Sequence, residues 1–196
     1  MKFAFSQLSI PKRGSLAVPV FAKNTLSPMA QEIDDITDGS LSRALETSRF
    51  TGKKGDLLEI LAPQNMTVSR VILFGLGEPE DVTLTDLESL GGNLVGKLNA
   101  SGAKNVTVML DGLDAEDALV GDAAPHVAFG AKLSSYRFKK YKTDTDSSSE
   151  PSLLKMTVAS NSSSKARKLF ADLEALAEGV FMTRDLVSEP ANTLYP

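Results

Sequence analysis

Apolar positions along the chain change period several times, and each change marks an element. Residues 2–8 alternate apolar with polar, as a half-buried strand does, and Pro11 to Gly14 follows as a turn signal. Ser15 to Ala22 carries Leu16, Val18, Val20 and Phe21 and predicts a buried strand. Helical spacing then predicts Pro28 to Ile36 and Ser40 to Phe50, with Asp38 and Ser40 as candidate caps of the second helix. Asp56 to Leu61 and Thr67 to Gly75 read as strands joined by a turn at Pro63-Gln64-Asn65. Thr85-Asp86-Leu87-Glu88 has the form of a capping box, opening a helix to about Asn99 that Gly102 is placed to stop.

Asn105 to Leu110 and Leu153 to Ala159 predict two further strands. Between them, helical sequence from Asp114 breaks near Gly121 and restarts near Pro125, a residue tolerated in a first turn. Thr143 to Pro151, rich in Ser and Asp, predicts a disordered loop. Ser162 or Ser163 is expected to cap a final helix over Ser164 to Ser188. Its buried face would be Ala166, Leu169, Phe170, Leu173, Leu176, Ala177, Val180 and Phe181. Such a helix is roughly 36 Å long at 1.5 Å per residue, enough to bridge two domains. Strands alternating with helices give an α/β three-layer sandwich around a mixed sheet.

Three runs carry a resemblance. The last, Thr183-Arg184-Asp185-Leu186-Val187-Ser188-Glu189-Pro190-Ala191-Asn192-Thr193-Leu194-Tyr195-Pro196, ends a helix at a proline and continues as an extended segment. It resembles the junction segment of the leucyl aminopeptidase (cytosol aminopeptidase) family, with Ser188 where many members have Asn. Gly130-Ala131-Lys132-Leu133-Ser134-Ser135-Tyr136-Arg137-Phe138-Lys139-Lys140-Tyr141-Lys142-Thr143 is similar to a second family run. Val71-Ile72-Leu73-Phe74-Gly75-Leu76-Gly77-Glu78 is similar to a third. The order and spacing also match, so the resemblance spans essentially the whole chain.

The resemblance implies a macro-domain-like amino-terminal domain over 1–162, an interdomain linker helix over 163–189, and over 190–196 the start of a linker to a catalytic domain absent from this sequence. It further implies an enzyme that removes amino-terminal residues, leucine preferred, with two divalent ions, Mn or Zn. One pair of ions can bind the scissile carbonyl and generate hydroxide. The family's ligand and lysine runs, Asn-Thr-Asp-Ala-Glu-Gly-Arg-Leu and Gly-Lys-Gly-x-Thr-Phe-Asp-Ser-Gly-Gly, do not occur in this sequence. No catalytic, cofactor-binding or metal residue is therefore carried over, and this segment is expected to be inactive alone. Its implied partners are its own catalytic domain and, for the complete enzyme, peptide substrates and a homo-hexamer. The segment itself is expected to be a monomer or weak dimer.

Composition narrows the alternatives. Across 196 residues, 42% are hydrophobic and 23% charged, which suits one globular domain. No apolar run is long enough to span a bilayer, and no secretory cleavage pattern follows Met1. The lack of Cys fits a cytoplasmic protein, and a formal charge of −4 disfavours general nucleic-acid affinity.

Four local patterns deserve a functional reading beside a plain one. Gly75-Leu76-Gly77 ends a strand just before a helix, where backbone amides cradle phosphates, but Glu80 occupies the third glycine position of such loops, so a structural turn is the plainer reading. The basic run Arg137 to Lys142 interleaves aromatics with cations as a DNA-binding groove would. The plainer reading is a helix end with core aromatics and dipole-favoured cations. His126, the sole histidine, has no neighbouring Cys or second His and reads as a surface or cap residue. Glu32, Asp34, Asp35 and Asp38 lack the order of a calcium loop and read as a solvated face.

Overall fold

The computed structural model describes residues 1–113, 123–141 and 150–193. Seven strands form one sheet: β1 (Lys2–Ser6), β2 (Ser15–Phe21), β3 (Thr25–Leu26), β4 (Leu57–Leu61), β5 (Arg70–Gly77), β6 (Asn105–Met109) and β7 (Lys155–Ala159). The order is β1-β7-β6-β2-β5-β4, with β3 paired to β2. Pairing is parallel from β1 through β5, whereas β4 and β3 run antiparallel to their neighbours. The sheet is mixed, as expected. The helices are α1 (Pro28–Ile36), α2 (Ser40–Thr47), α3 (Leu84–Ala100), α4 (Ala123–Ser134) and α5 (Ser163–Ser188).

Alternation along the strands sorts the core into two halves. Leu16, Val18 and Val20 of β2, with Val71 and Leu73 of β5, pack with Ile33 of α1 and Leu41 and Leu45 of α2. Ala17 and Phe21, with Ile72 and Phe74, pack with α3, α4 and the first half of α5. Successive strand side chains point to opposite faces, so two buried clusters require helices on both sides of the sheet. Every residue of β2 is buried. The three layers thus follow from sequence alternation.

Helices α3 and α4 approach unusually closely. A Cβ on Gly91 would lie 2.0 Å from the Val127 carbonyl oxygen, and one on Gly130 would lie 1.9 Å from that of Glu88. Only glycine fits at either position, and each glycine faces the partner helix's backbone. His126 Nδ1, 2.7 Å from Glu88 Oε1, adds a polar tie across the same pair. His126 is therefore a partly buried interhelical residue rather than a surface or cap one.

Several expected caps are corrected by the structure. The residue before α2 is Gly39, with φ of 78°, and neither Asp38 nor Ser40 caps the helix. The carboxylate of Asp34 does so from α1, accepting from Leu41 N at 2.7 Å and Ser42 N at 3.1 Å, and from the Ser42 hydroxyl. Asp34 is only 5% exposed, so the solvated-face reading fails for this member of the acidic cluster. Glu32, Asp35 and Asp38 are exposed. The α3 capping box is formed by Thr83 and Asp86, two residues before the expected start, leaving Glu88 free for His126. Ser162 precedes α5 without a side-chain cap bond, and Ser163 accepts from Gln7 Nε2 instead. The helical reading from Asp114 to Gly121 and most of the Thr143–Pro151 segment lie outside the described residues.

Asp34 makes a direct test of how α1 and α2 are joined. Replacing it with Ala leaves two α2 amides unpaired in a buried setting. We expect Asp34→Ala to lose roughly 2–3 kcal/mol, since caps and hydrogen bonds to charged groups are of that order. Urea unfolding followed by circular dichroism checks this, with a fall in midpoint at unchanged slope as the expected outcome.

Candidate functional site

Gly75-Leu76-Gly77 ends strand β5, ahead of α3, as the sequence predicts. The glycine amides are already used: Gly75 N donates to Asp56 O at 2.9 Å and Gly77 N to Gly52 O at 2.8 Å. A Cβ on Gly75 would lie 2.0 Å from Lys53 O, so the residue is small to admit the neighbouring loop, not a phosphate. An adjoining cleft of about 220 Å³ is lined by Lys54, Gly55, Gly75, Leu76, Asp86 and Asn93 among others. Lys54 Nζ bonds Asp86 Oδ2 at 2.7 Å and the Asp81 carbonyl at 2.5 Å. Burial pushes the Asp86 carboxyl up, but bonds from Lys54 and Thr83 outweigh it and hold it below its ordinary range. A carboxylate kept charged in the cleft, beside a cation already paired, opposes an anionic ligand. The turn is structural.

The basic run behaves as a clasp. After α4 ends at Ser134, the chain from Tyr136 to Tyr141 lies against the last turns of α5. The Tyr136 hydroxyl donates to Asp185 Oδ1 at 2.7 Å, and the Arg184 guanidinium sits 4.1 Å from the Tyr136 ring centre. Lys140 Nζ lies 2.6 Å from Glu189 Oε1, and the Tyr141 hydroxyl donates to the other oxygen of that carboxylate. Lys139 pairs with Glu150. Arg137 donates to the carbonyls of Ser134 and Tyr136. Five of the six residues from Tyr136 to Tyr141, all but Phe138, thus direct cationic or hydroxyl groups toward protein acceptors, and the Tyr136 ring also lies against that of Phe181 at 5.2 Å. The dipole-and-core reading is half right: Phe138 is half-buried, but Tyr141 is exposed. Lys142 lies outside the described residues.

Two of the three runs that carried the family resemblance therefore meet in space over their described residues, 130–141 and 183–193. The third forms β5. Sequence spacing gave no sign of that meeting, because the paired positions lie about fifty residues apart.

With this geometry in hand, comparison with known proteins is decisive. The amino-terminal domain of the cytosol aminopeptidase family matches residues 17–145. The chain belongs to the cytosol aminopeptidase family. A probable cytosol aminopeptidase of Caulobacter vibrioides is 37% identical over 182 residues, covering 93% of this chain and 36% of that protein. One from Sinorhizobium fredii is 36% identical and covers 100% of this chain and 39% of its own length. The chain thus spans well under half of the curated aminopeptidases it matches. Among solved structures, a tomato leucine aminopeptidase mutant superposes with a TM-score of 0.83 at 22% identity, covering 100% of this chain and 40% of that one. The bottromycin maturation enzyme BotP in complex with Mn gives 0.62 at 21% identity, covering 93% and 33% respectively. At that identity these two likenesses establish a shared fold.

Within this aminopeptidase-family fold, α5 divides into two parts. Phe170 is buried against Phe3 and Phe5, with ring centres 5.3 Å apart in each pair. Ala166 and Ala177 are fully buried. Lys132 of α4 reaches Glu174 at 3.3 Å and Glu178 at 2.8 Å. Beyond that, Met182 is 65% exposed and Val187 83%, and Leu186 is also exposed. Leu176, expected on the buried face, is 56% exposed, because α4 and β1 cover a narrower stripe than its spacing implies.

Sequence reading missed Asp111 altogether. It follows β6, is buried, and accepts from Met29 N at 2.7 Å, capping α1 together with Ser27. Burial pushes its carboxyl above the ordinary range despite those bonds. A lone Asp after a strand carries no local signal of such a cap. Among the described residues, no three His, Cys, Asp or Glu side chains converge as a metal site would need. No described helix is long and apolar enough to cross a membrane.

The clasp has a pH signature. The hydrogen bond from Lys140, then that from Tyr141, hold the Glu189 carboxyl below its ordinary range. Its contribution is complete above the ordinary carboxylate value and is lost as pH falls through the lowered one. We expect Glu189→Gln to speed amide exchange over residues 184–189 at neutral pH. Expressed as protection relative to the intrinsic exchange rate at each pH, acidifying the wild-type chain should reproduce that loss, while the variant shows no such step.

Proposed function

We propose that this chain serves as the non-catalytic amino-terminal domain of a metallo-aminopeptidase. The complete enzyme would be cytoplasmic and remove amino-terminal residues, leucine foremost, from peptides. Two divalent ions, Mn or Zn, held by the remainder of the enzyme would supply the hydroxide nucleophile. Residues 1–162 form the macro-like body in this reading, 163–189 an interdomain helix, and 190–196 the start of the linker. The observation that carries it is the family match over residues 17–145 combined with coverage of only 36% to 39% of relatives that match 93% to 100% of this chain.

The exposed stripe of α5 supports the interdomain assignment. Met182, Leu186 and Val187 face solvent on a helix whose earlier turns bury one narrow face through Ala166, Phe170 and Ala177. A second domain docking on those turns would remove apolar surface that otherwise offsets none of the entropy of ordering. The paired cations at Lys139 and Lys140 speak against DNA as a partner. Hexamer assembly would then run through the catalytic portion, with this domain at the periphery and monomeric or weakly dimeric by itself.

The decisive assay is hydrolysis of leucine-p-nitroanilide with Mn or Zn added. This chain should show no turnover above the metal-only blank, whereas the full-length enzyme should be active. Turnover that persists through repurification of this segment alone would refute the assignment. Hydrogen exchange gives an independent check on the interdomain helix. Protection should fall from Phe170 toward Val187 in this chain and become uniform in the full-length protein. Equal protection along the whole helix in the isolated chain would remove the strut.

A further inference from the structure

The sheet ends at β4, a strand with an open side. Its antiparallel partner is β5, in the register Leu57↔Phe74 to Leu61↔Arg70. Gly75 N donates to Asp56 O and Ala62 N to Ser69 O. In an antiparallel pair, residues of alternate parity exchange both backbone bonds with the neighbour. Asp56, Leu58, Ile60 and Ala62 therefore bond inward, and the backbone groups of Leu57, Glu59 and Leu61 point outward. Among the described residues no strand pairs with that side.

Edge strands are normally guarded by lysine, proline or a bulge. β4, Leu-Leu-Glu-Ile-Leu, has no lysine, proline or bulge, its one charge, Glu59, is paired with Arg70 and Lys97 of its own domain, and it pairs with β5 in unbroken register. Leu61 is 64% exposed. The sequence is also close to a palindrome about Glu59, with Leu57 matched by Leu61 and Leu58 by Ile60.

We propose that β4 is a self-pairing edge, forming an antiparallel dimer with β4 of a second copy about a two-fold axis through Glu59. In that register Leu57 faces the other copy's Leu61, and Glu59 faces Glu59. All three outward-pointing residues then exchange both backbone bonds, and Leu58 meets Ile60 in the closer, non-bonded sites. The exposed Leu61 becomes covered. A symmetric interface uses one patch twice, which is what a palindromic strand supplies.

The two glutamates at the axis do not oppose this. Each Glu59 is bound within its own domain by Arg70 at 2.5 Å and Lys97 at 3.0 Å. Burial raises its carboxyl, but the bonds and charges of Lys97 and Arg70 leave it below the ordinary range. Two cations beside each carboxylate offset the like charge. A groove of about 270 Å³ beside Phe50, Asp56, Leu57 and Leu58 also lies opposite the other copy's positions 60 to 62, leaving room for its chain.

A five-residue pairing is small against the roughly 1,200–2,000 Å² of stable interfaces, so the dimer is concentration-dependent. This assembly does not depend on catalysis and is read separately from it. Sedimentation velocity over a series reaching the millimolar range should show the mass rising toward twice the monomer's. Leu61→Lys, at an exposed position, should weaken association about tenfold or more, with an unchanged circular dichroism spectrum. Because the natural chain lacks Cys, register can be read by oxidation. Leu57→Cys combined with Leu61→Cys should give a covalent dimer, and Leu58→Cys with Leu61→Cys should not. A wild-type chain that stays monomeric overturns the proposal. So does a dimer that Leu61→Lys leaves intact, or cross-linking by the out-of-register pair alone.

Discussion

Strand β2 has no side chain that reaches water, and the architecture follows from that single constraint. A strand buried on both faces needs cover above and below and strand neighbours to satisfy its backbone. β5 and β6 supply the neighbours as parallel strands. Parallel neighbours require crossovers, and the crossovers contain the covering helices. α1 and α2 fill one side, while α3 and α4 fill the other with α5. The glycine contacts between α3 and α4 then set how flat the second layer is. Two helices that touch backbone to backbone leave space beside them, and α5 occupies it.

The strands and helices were legible because their signals are local and periodic. Alternation in β2 and β5, the β4–β5 turn at Pro63 to Asn65, and Pro125 in the first turn of α4 all depend on neighbours within a few residues. Caps were legible only where they were local. Asp34 reaches seven residues forward to cap α2, and Asp111 reaches back eighty-two to Met29, according to the chain separations of those bonds. No window of sequence contains both ends of the second bond. Thr83 and Thr85, two residues apart, offer nearly equivalent boxes in sequence, and in the fold Asp86 closes the one with Thr83 while also pairing with Lys54.

The same distinction governs the site. Gly75 and Gly77 resembled a phosphate loop because sequence shows small residues but not where their amides point. Both point into their own fold. The basic run resembled a nucleic-acid groove because sequence shows cations without their counter-ions. Glu150 and Glu189 answer two of them. In each case the residue types were read correctly and the missing knowledge was a partner distant in sequence. The family resemblance succeeded where single patterns failed, since three ordered runs constrain one another.

The junction of α4 and α5 has a mechanical implication. Its contacts near the end of α5, from Tyr136 to Asp185 and from Lys140 and Tyr141 to Glu189, are polar and open to solvent. Exposed pairs add little to stability, but several of them with fixed lengths define an angle. The helix is anchored by Phe170 and Ala177 and merely steered at its far end. The end of α5 is therefore aimed rather than glued: its bearing is set by geometry, while the energy needed to swing it aside stays small.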